Sequence, residues 1–180
     1  MKLEMRTLKN IAAAMTLAVV FGAASLKPVT ANAAEASVSA SIEEENSYIS
    51  FQDEAYQNEF LRRVNNERVK AGLKPVQLGD SNHNSAAQQR AEEIATVNSH
   101  VRPNGTKWYA VLSEYGVTDA AAGENAAWGS VSPEEVVNAW MNSEGHRANI
   151  LDPEARAMGV GYYYNSSSTW GHQWIQLFTK

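Results

Sequence analysis

Apolar positions along this chain fall into three regimes. Between Ile11 and Ala24 they form a nearly unbroken run. In separate segments between Tyr56 and Trp140 they recur every three or four residues, the period of one face of an α-helix. After Met158 they alternate with other residues, the period of a strand. In the helical regime Tyr56, Phe60, Val64, Arg68 and Ala71 share one stripe, which Leu61 broadens. The pattern starts at Phe51 and is ended by Gly72 and Pro75, so it predicts one amphipathic helix.

A second helix is expected from Asp80-Ser81, whose short side-chain oxygens suit free amide groups. It would present Ala87, Ala91, Ile94 and Ala95 on one face, small enough for close packing. A short helix through Trp108, Leu112 and Tyr115 should stop at Gly116. Ser132-Pro133-Glu134-Glu135 has the form of a helix start, with a serine cap, proline in the first turn and a glutamate placed to complete a capping box. Val136, Ala139 and Trp140 would be its buried stripe and Gly145 its stop. Met158 to Tyr164 and Thr169 to Phe178 read as two strands joined by Asn165-Ser166-Ser167-Ser168. Helices first and a hairpin last point to an α/β fold, a mixed sheet covered by helices on its faces.

The apolar run near the start bears on location. Lys2, Arg6 and Lys9 precede it, and Pro28 and Ala31-Asn32-Ala33 follow, the layout of an export signal with its cleavage site. The run is short of the roughly 20 residues a spanning helix needs. Residues 1–33 are therefore expected to be a signal peptide, residues 34–50 a flexible acidic linker and residues 51–180 the folded domain, secreted and without a membrane span. Loss of Lys2, Arg6, Lys9, Lys27 and Glu4 would move the net charge from −5 to −8. An acidic chain without a clustered basic surface is a poor partner for nucleic acid. Cysteine is absent, so neither disulfides nor thiolate metal sites contribute.

Candidate chemistry sits in three separated fragments: Ser99-His100-Val101-Arg102-Pro103, Gly123-Glu124-Asn125, and Trp140 through Leu151 with Gly145-His146 at its centre. Each lies beside a glycine, a proline or a helix end, where loops turn polar groups toward a cleft. From spacing alone, His100 and His146 read first as helix-end residues satisfied by hydrogen bonds, and Glu124 as a carboxylate accepting loop amides. Arg147 is expected to pair with an acidic neighbour, Asn149 and Asp152-Pro153 to make turns, and Trp140, Trp174 and Phe178 to be core. His83 and His172 have no motif partners and should be exposed or at an edge, although His172 shares a strand face with Trp174 and Gln176.

These fragments in this order, with Val64-Asn65-Asn66-Glu67-Arg68, Ala71-Gly72-Leu73, Gly159-Val160-Gly161 and Trp174-Ile175-Gln176-Leu177-Phe178, resemble the CAP superfamily. That group takes in cysteine-rich secretory, antigen-five and pathogenesis-related-one proteins, and the chain is similar to its bacterial SCP-domain branch. The resemblance implies a three-layer α-β-α sandwich whose central cleft is lined by two histidines and two acidic residues. Carried over by motif, these are His100, Glu124 and His146, and the second acidic position falls on Ser143.

Two imidazoles facing one cleft can hold zinc or another divalent cation, with positions left open when protein ligands are few. An imidazole could alternatively serve as a base. A Ser143 nucleophile is disfavoured, because no Gly-x-Ser-x-Gly elbow or oxyanion hole is recognisable. The favoured expectation is an extracellular module that binds a small ligand, a lipid or an envelope component, in line with the diverse activities of the resembled family. The alternatives are a zinc-dependent hydrolase with Glu124 as its base, and a partner-binding domain whose cleft is vestigial.

Overall fold

A computed structural model describes residues 54–180; the expected signal peptide, linker and first helical residues before Glu54 lie outside the described residues. Helix α1 covers Glu54–Lys70, strand β1 Gln77–Leu78, α2 Ser81–Ile94 and α3 Ala110–Glu114. Strand β2 covers Ala121–Trp128, α4 Pro133–Met141, α5 Glu144–Ile150, β3 Ala157–Asn165 and β4 Gly171–Thr179. The sheet order is β1-β3-β4-β2, with β1 parallel to β3 and the other pairs antiparallel. Helices α1, α4 and α5 cover one face and α2 and α3 the other, giving the three layers of an α-β-α sandwich. No helix among the described residues is long and apolar enough to cross a membrane.

Two cores result from the strand period of two. Met158, Val160 and Tyr162 of β3 join Trp174 and Phe178 of β4 under Phe60, Val64, Val136 and Trp140. Ile175 and Leu177 point the other way, against Ala86, Ala87, Ala91 and Ile94 of α2. The small residues of α2 let it come very close to the sheet. A Cβ built on Gly159 would lie 2.4 Å from the His83 carbonyl oxygen, and one on Gly161 2.1 Å from that of Ala87. This proximity brings Asn84 and Gln88, one helical turn apart, to the outer edge of β3. Asn84 Oδ1 accepts from the Val160 amide at 3.1 Å and Gln88 Oε1 from the Tyr162 amide at 3.2 Å. β1 pairs only with Ala157 and Met158, so these two side chains satisfy edge amides that it leaves open.

The helix signals act largely as the residues suggest. Asp80 caps α2 through the amides of Asn82 and His83. Ser132 Oγ accepts from the Glu135 amide at 3.2 Å, while Glu135 reaches back to the Val131 amide at 2.9 Å, one residue further than an ideal capping box. Other expectations are corrected. Ala139 is exposed, and Val136, Val137 and Trp140 form the buried stripe of α4. Ala71 is exposed just past the end of α1. Gly145 does not stop α4, which ends at Met141 with Asn142 as its cap; it lies inside a separate helix, α5, capped at Ser143.

Candidate functional site

The Gly-Glu-Asn fragment forms the middle of β2, an edge strand, and not the loop its glycine suggested. Each of its three residues faces a different requirement. At Gly123 a Cβ would sit 2.7 Å from the Asn149 side chain, so glycine leaves the room in which Asn149 reaches the strand. Asn149 Nδ2 donates to the Glu124 carbonyl at 3.1 Å and to Asn125 Oδ1 at 2.9 Å. Asn125 Nδ2 in turn donates to the His146 carbonyl at 3.1 Å and to Gln176 Oε1 at 3.1 Å. Asn149 thus fastens α5 to the sheet in place of the expected turn role. Arg68, buried in α1, secures the same helix by donating to the Ile150 and Asp152 carbonyls at 2.7 and 2.9 Å. Asp152 makes the expected turn, its side chain accepting from the Glu154 amide at 2.8 Å.

Glu124 points to the opposite face, where its side chain is fully buried against Arg90 of α2. Arg90 Nε donates to Oε2 at 2.9 Å and Arg90 Nη2 to Oε1 at 3.2 Å. Oε1 also lies 2.7 Å from His100 Nδ1. Arg90 further binds the Ser99 carbonyl at 3.1 Å and Glu93 at 2.6 Å, and Glu93 is held by Arg102, which continues to Glu114. A chain of alternating charges therefore runs from Glu114 to His100. It fixes the segment that Gly105, at φ 82°, and the Val101–Lys107 bridge fold back on itself. Arg90 carries no motif signal; its position on the small apolar face of α2, between Ala86, Ala87 and Ile94, is what marks it.

His100 keeps 59% of its side-chain surface, with Nδ1 turned to Glu124. The hydrogen bond to the Glu124 carboxylate holds its pKa above 6.5, against the smaller opposing effect of burial. His146, half-buried on α5 beside Trp140 at a ring separation of 6.4 Å, moves the other way. Burial lowers its pKa below 6.5, and the charge of nearby His100 lowers it further. The rings are thus brought within electrostatic range, one from the loop after α2 and one from α5. Among the described residues neither His146 ring nitrogen nor His100 Nε2 has a hydrogen-bond partner.

The linkage signs are opposite. Stability from protonated His100 is complete below about pH 6.5 and is lost as pH rises through its raised folded value. Stability from neutral His146 is present above about pH 6.5 and is lost as pH falls through its lowered folded value. Between the two folded values His100 is charged and His146 is a free base.

The remaining predicted residues fall elsewhere or play other parts. Ser143 caps α5 by position, and its hydroxyl makes no capping bond. Arg147 is exposed and forms no ion pair among the described residues, because α5 turns it outward. His83, expected at the surface, is 6% exposed. It lies on the apolar stripe of α2, with Nδ1 2.8 Å from Asp80 and Nε2 3.3 Å from the Thr179 hydroxyl. His172 sits at the far end of β4, its Nδ1 2.7 Å from the Tyr162 hydroxyl. It adds no third imidazole to His100 and His146.

With this geometry in view, the comparisons are specific. A family model described as CAP, the cysteine-rich secretory protein family, matches residues 61–178. The chain belongs to the CAP family. This CAP domain is 41% identical over 123 residues to YkwD of Bacillus subtilis (strain 168), which covers 67% of this chain and 47% of that protein. It resembles the crystal structure of an extracellular protein containing an SCP domain from Bacillus anthracis str. Ames. That match has a TM-score of 0.60 at 25% identity, over 68% of this chain and 39% of the other. An outer surface protein of Borrelia burgdorferi shares the fold, with a TM-score of 0.61 at 19% identity, over 71% of this chain and 93% of that one. The chain spans less than half the length of YkwD and of the anthracis protein.

Proposed function

We propose that this CAP domain is secreted and works as a non-catalytic binding module for a small ligand or envelope component. In this reading the edge of β2, with His100 and His146 within electrostatic range of each other, is its contact site. The state of Glu124 carries the proposal. A carboxylate with no exposed side-chain surface, held by Arg90 on both oxygens and by His100 on one, is in no position to take a proton from water. It instead holds His100 by Nδ1 and leaves Nε2 outward-facing as a donor atom, the arrangement by which outer carboxylates orient metal-binding imidazoles. The export-signal layout of the first 33 residues supports an extracellular setting.

The proposed ligands for a divalent ion are two imidazoles, His100 through Nε2 and His146, whose electrostatic coupling and open ring nitrogens support the pairing. His146, kept neutral by burial, suits it as a ligand. Among the described residues no group of three or more histidines, aspartates or glutamates could hold a metal ion, so the three-ligand set common in catalytic zinc enzymes is not assembled. A bound ion would supply open coordination positions for an oxygen-bearing ligand. Calorimetric titration of the protein with zinc should show weak binding that His100→Ala or His146→Ala removes. Glu124→Gln should retain binding but weaken it by about tenfold or more, as expected for loss of an orienting partner. Zinc binding untouched by both histidine substitutions, or zinc-dependent peptide hydrolysis lost in Glu124→Gln, would overturn the reading.

A further inference from the structure

Among the five tryptophans, Trp170 alone is exposed, at 56% of its surface. It stands on the connection between β3 and β4, and that connection is well tied. The Ser167 amide donates to Asn165 Oδ1 at 2.9 Å, the Gly171 amide to the Ser168 carbonyl at 3.2 Å, and the Gly129 amide to the His172 carbonyl at 2.9 Å. Gly171, at φ 66°, completes the turn that returns the chain to β4. The indole is therefore presented by an ordered loop.

Beside it opens a recess of about 320 Å³, reaching to the end of α2 and lined among others by Ile94, Thr96, Asn98, Trp128, Ser168 and Trp170. Trp128 is half-buried and oriented by its Nε1–H, which donates to the Ile94 carbonyl at 3.1 Å. Two indoles and Ile94 thus share a hollow whose other side chains are small, hydroxylic or carboxamide. No ionisable side chain lines it, in a chain that is otherwise one-fifth charged. An anionic ligand would find no cation there, and a cationic one no carboxylate. A neutral ligand with one apolar face and a rim of hydroxyl groups matches both features of the wall.

We propose that this recess binds a neutral N-acetylhexosamine oligomer, as a site separate from the imidazole cleft. The C–H face of a pyranose ring packs on Trp170, the acetamido methyl packs against Trp128, and Asn98, Thr96 and the loop serines meet the hydroxyls. The site requires neither His100 nor His146, so it survives failure of the proposed metal binding.

The test titrates the full chain with tri-N-acetylchitotriose and follows the indole N–H and backbone amide signals by NMR. Saturable shifts are expected at Trp128 and Trp170 and in the amides of residues 94–98 and 167–170. Trp170→Ala, at a side chain more than half exposed, should weaken binding by about tenfold, given what burial of an aromatic face contributes. Asn98→Arg, which places bulk and charge in the recess, should weaken it comparably, while Tyr109→Ala should leave it unchanged. Absence of saturable shifts, equal affinity in Trp170→Ala, or shifts confined to the surroundings of His100 and His146 would each overturn the proposal.

Discussion

Arg90→Met should destabilise the domain by about 3–5 kcal/mol, the range for removing one member of a buried ion pair. Both side chains are inaccessible to solvent. Methionine fills similar space but leaves the Glu124 carboxylate with His100 as its only charged partner, in a setting where a stranded charge is costly. The same substitution releases the Ser99 carbonyl, and with it the loop that carries His100. Urea denaturation followed by circular dichroism measures the first effect, and the His100 signal in NMR the second. The double variant Arg90→Met with Glu124→Leu separates charge from packing. It should recover most of the loss, since an apolar pair of similar volume often replaces a buried ion pair without penalty. A loss below about 1 kcal/mol in the single variant would contradict the assigned role of Arg90.

Gly161→Ala should cost about 3 kcal/mol, the upper part of the overpacking range. The added methyl would lie 2.1 Å from the Ala87 carbonyl oxygen and 2.2 Å from its carbon, both backbone atoms in the interior of α2. No side-chain rotation relieves such a contact, so helix and sheet must separate. The hydrogen bonds of Asn84 and Gln88 to the edge of β3 would lengthen with them. Gly145→Ala is the control of opposite sign. An added Cβ there meets nothing within 4 Å, and alanine is the better helix former, so α5 should gain about 0.5–1 kcal/mol. Thermal denaturation of both variants beside the unmodified chain checks the pair. Equal effects would show that close approach of α2 to β3 is not what Gly161 provides.

The contrast between these glycines reflects what the residue pattern reveals. Helices α1, α2 and α4 are legible because their stripes bury real apolar area, and the hairpin because Tyr162, Trp174 and their neighbours alternate. Strand β2 is not legible. Gly123, Glu124 and Asn125 are poor strand formers, and their strand state is imposed by pairing with β4. Helix α5 is equally hidden, since Ile150 alone is buried in it and Gly145 mimics a stop. The site follows the same division. Motif resemblance points to His100, Glu124 and His146, but not to Arg90, because a mid-helix arginine reads as solvent-facing until its neighbours on the stripe are seen to be Ala86, Ala87 and Ile94. His83 is misjudged for the same reason: on the stripe of α2, beside Gly79 and Gly159, it had to be buried.

Two imidazoles distant in sequence share one field at the edge of β2. NMR titration of His146 in His100→Gln beside the unmodified chain tests it directly. Glutamine removes the imidazolium charge and leaves the burial of His146 in place. The His146 midpoint should therefore rise, yet stay below the ordinary 6.5 because burial is the larger cause of its depression. An unchanged midpoint would mean that the two rings do not sense each other, and the shared cleft would be lost with that result.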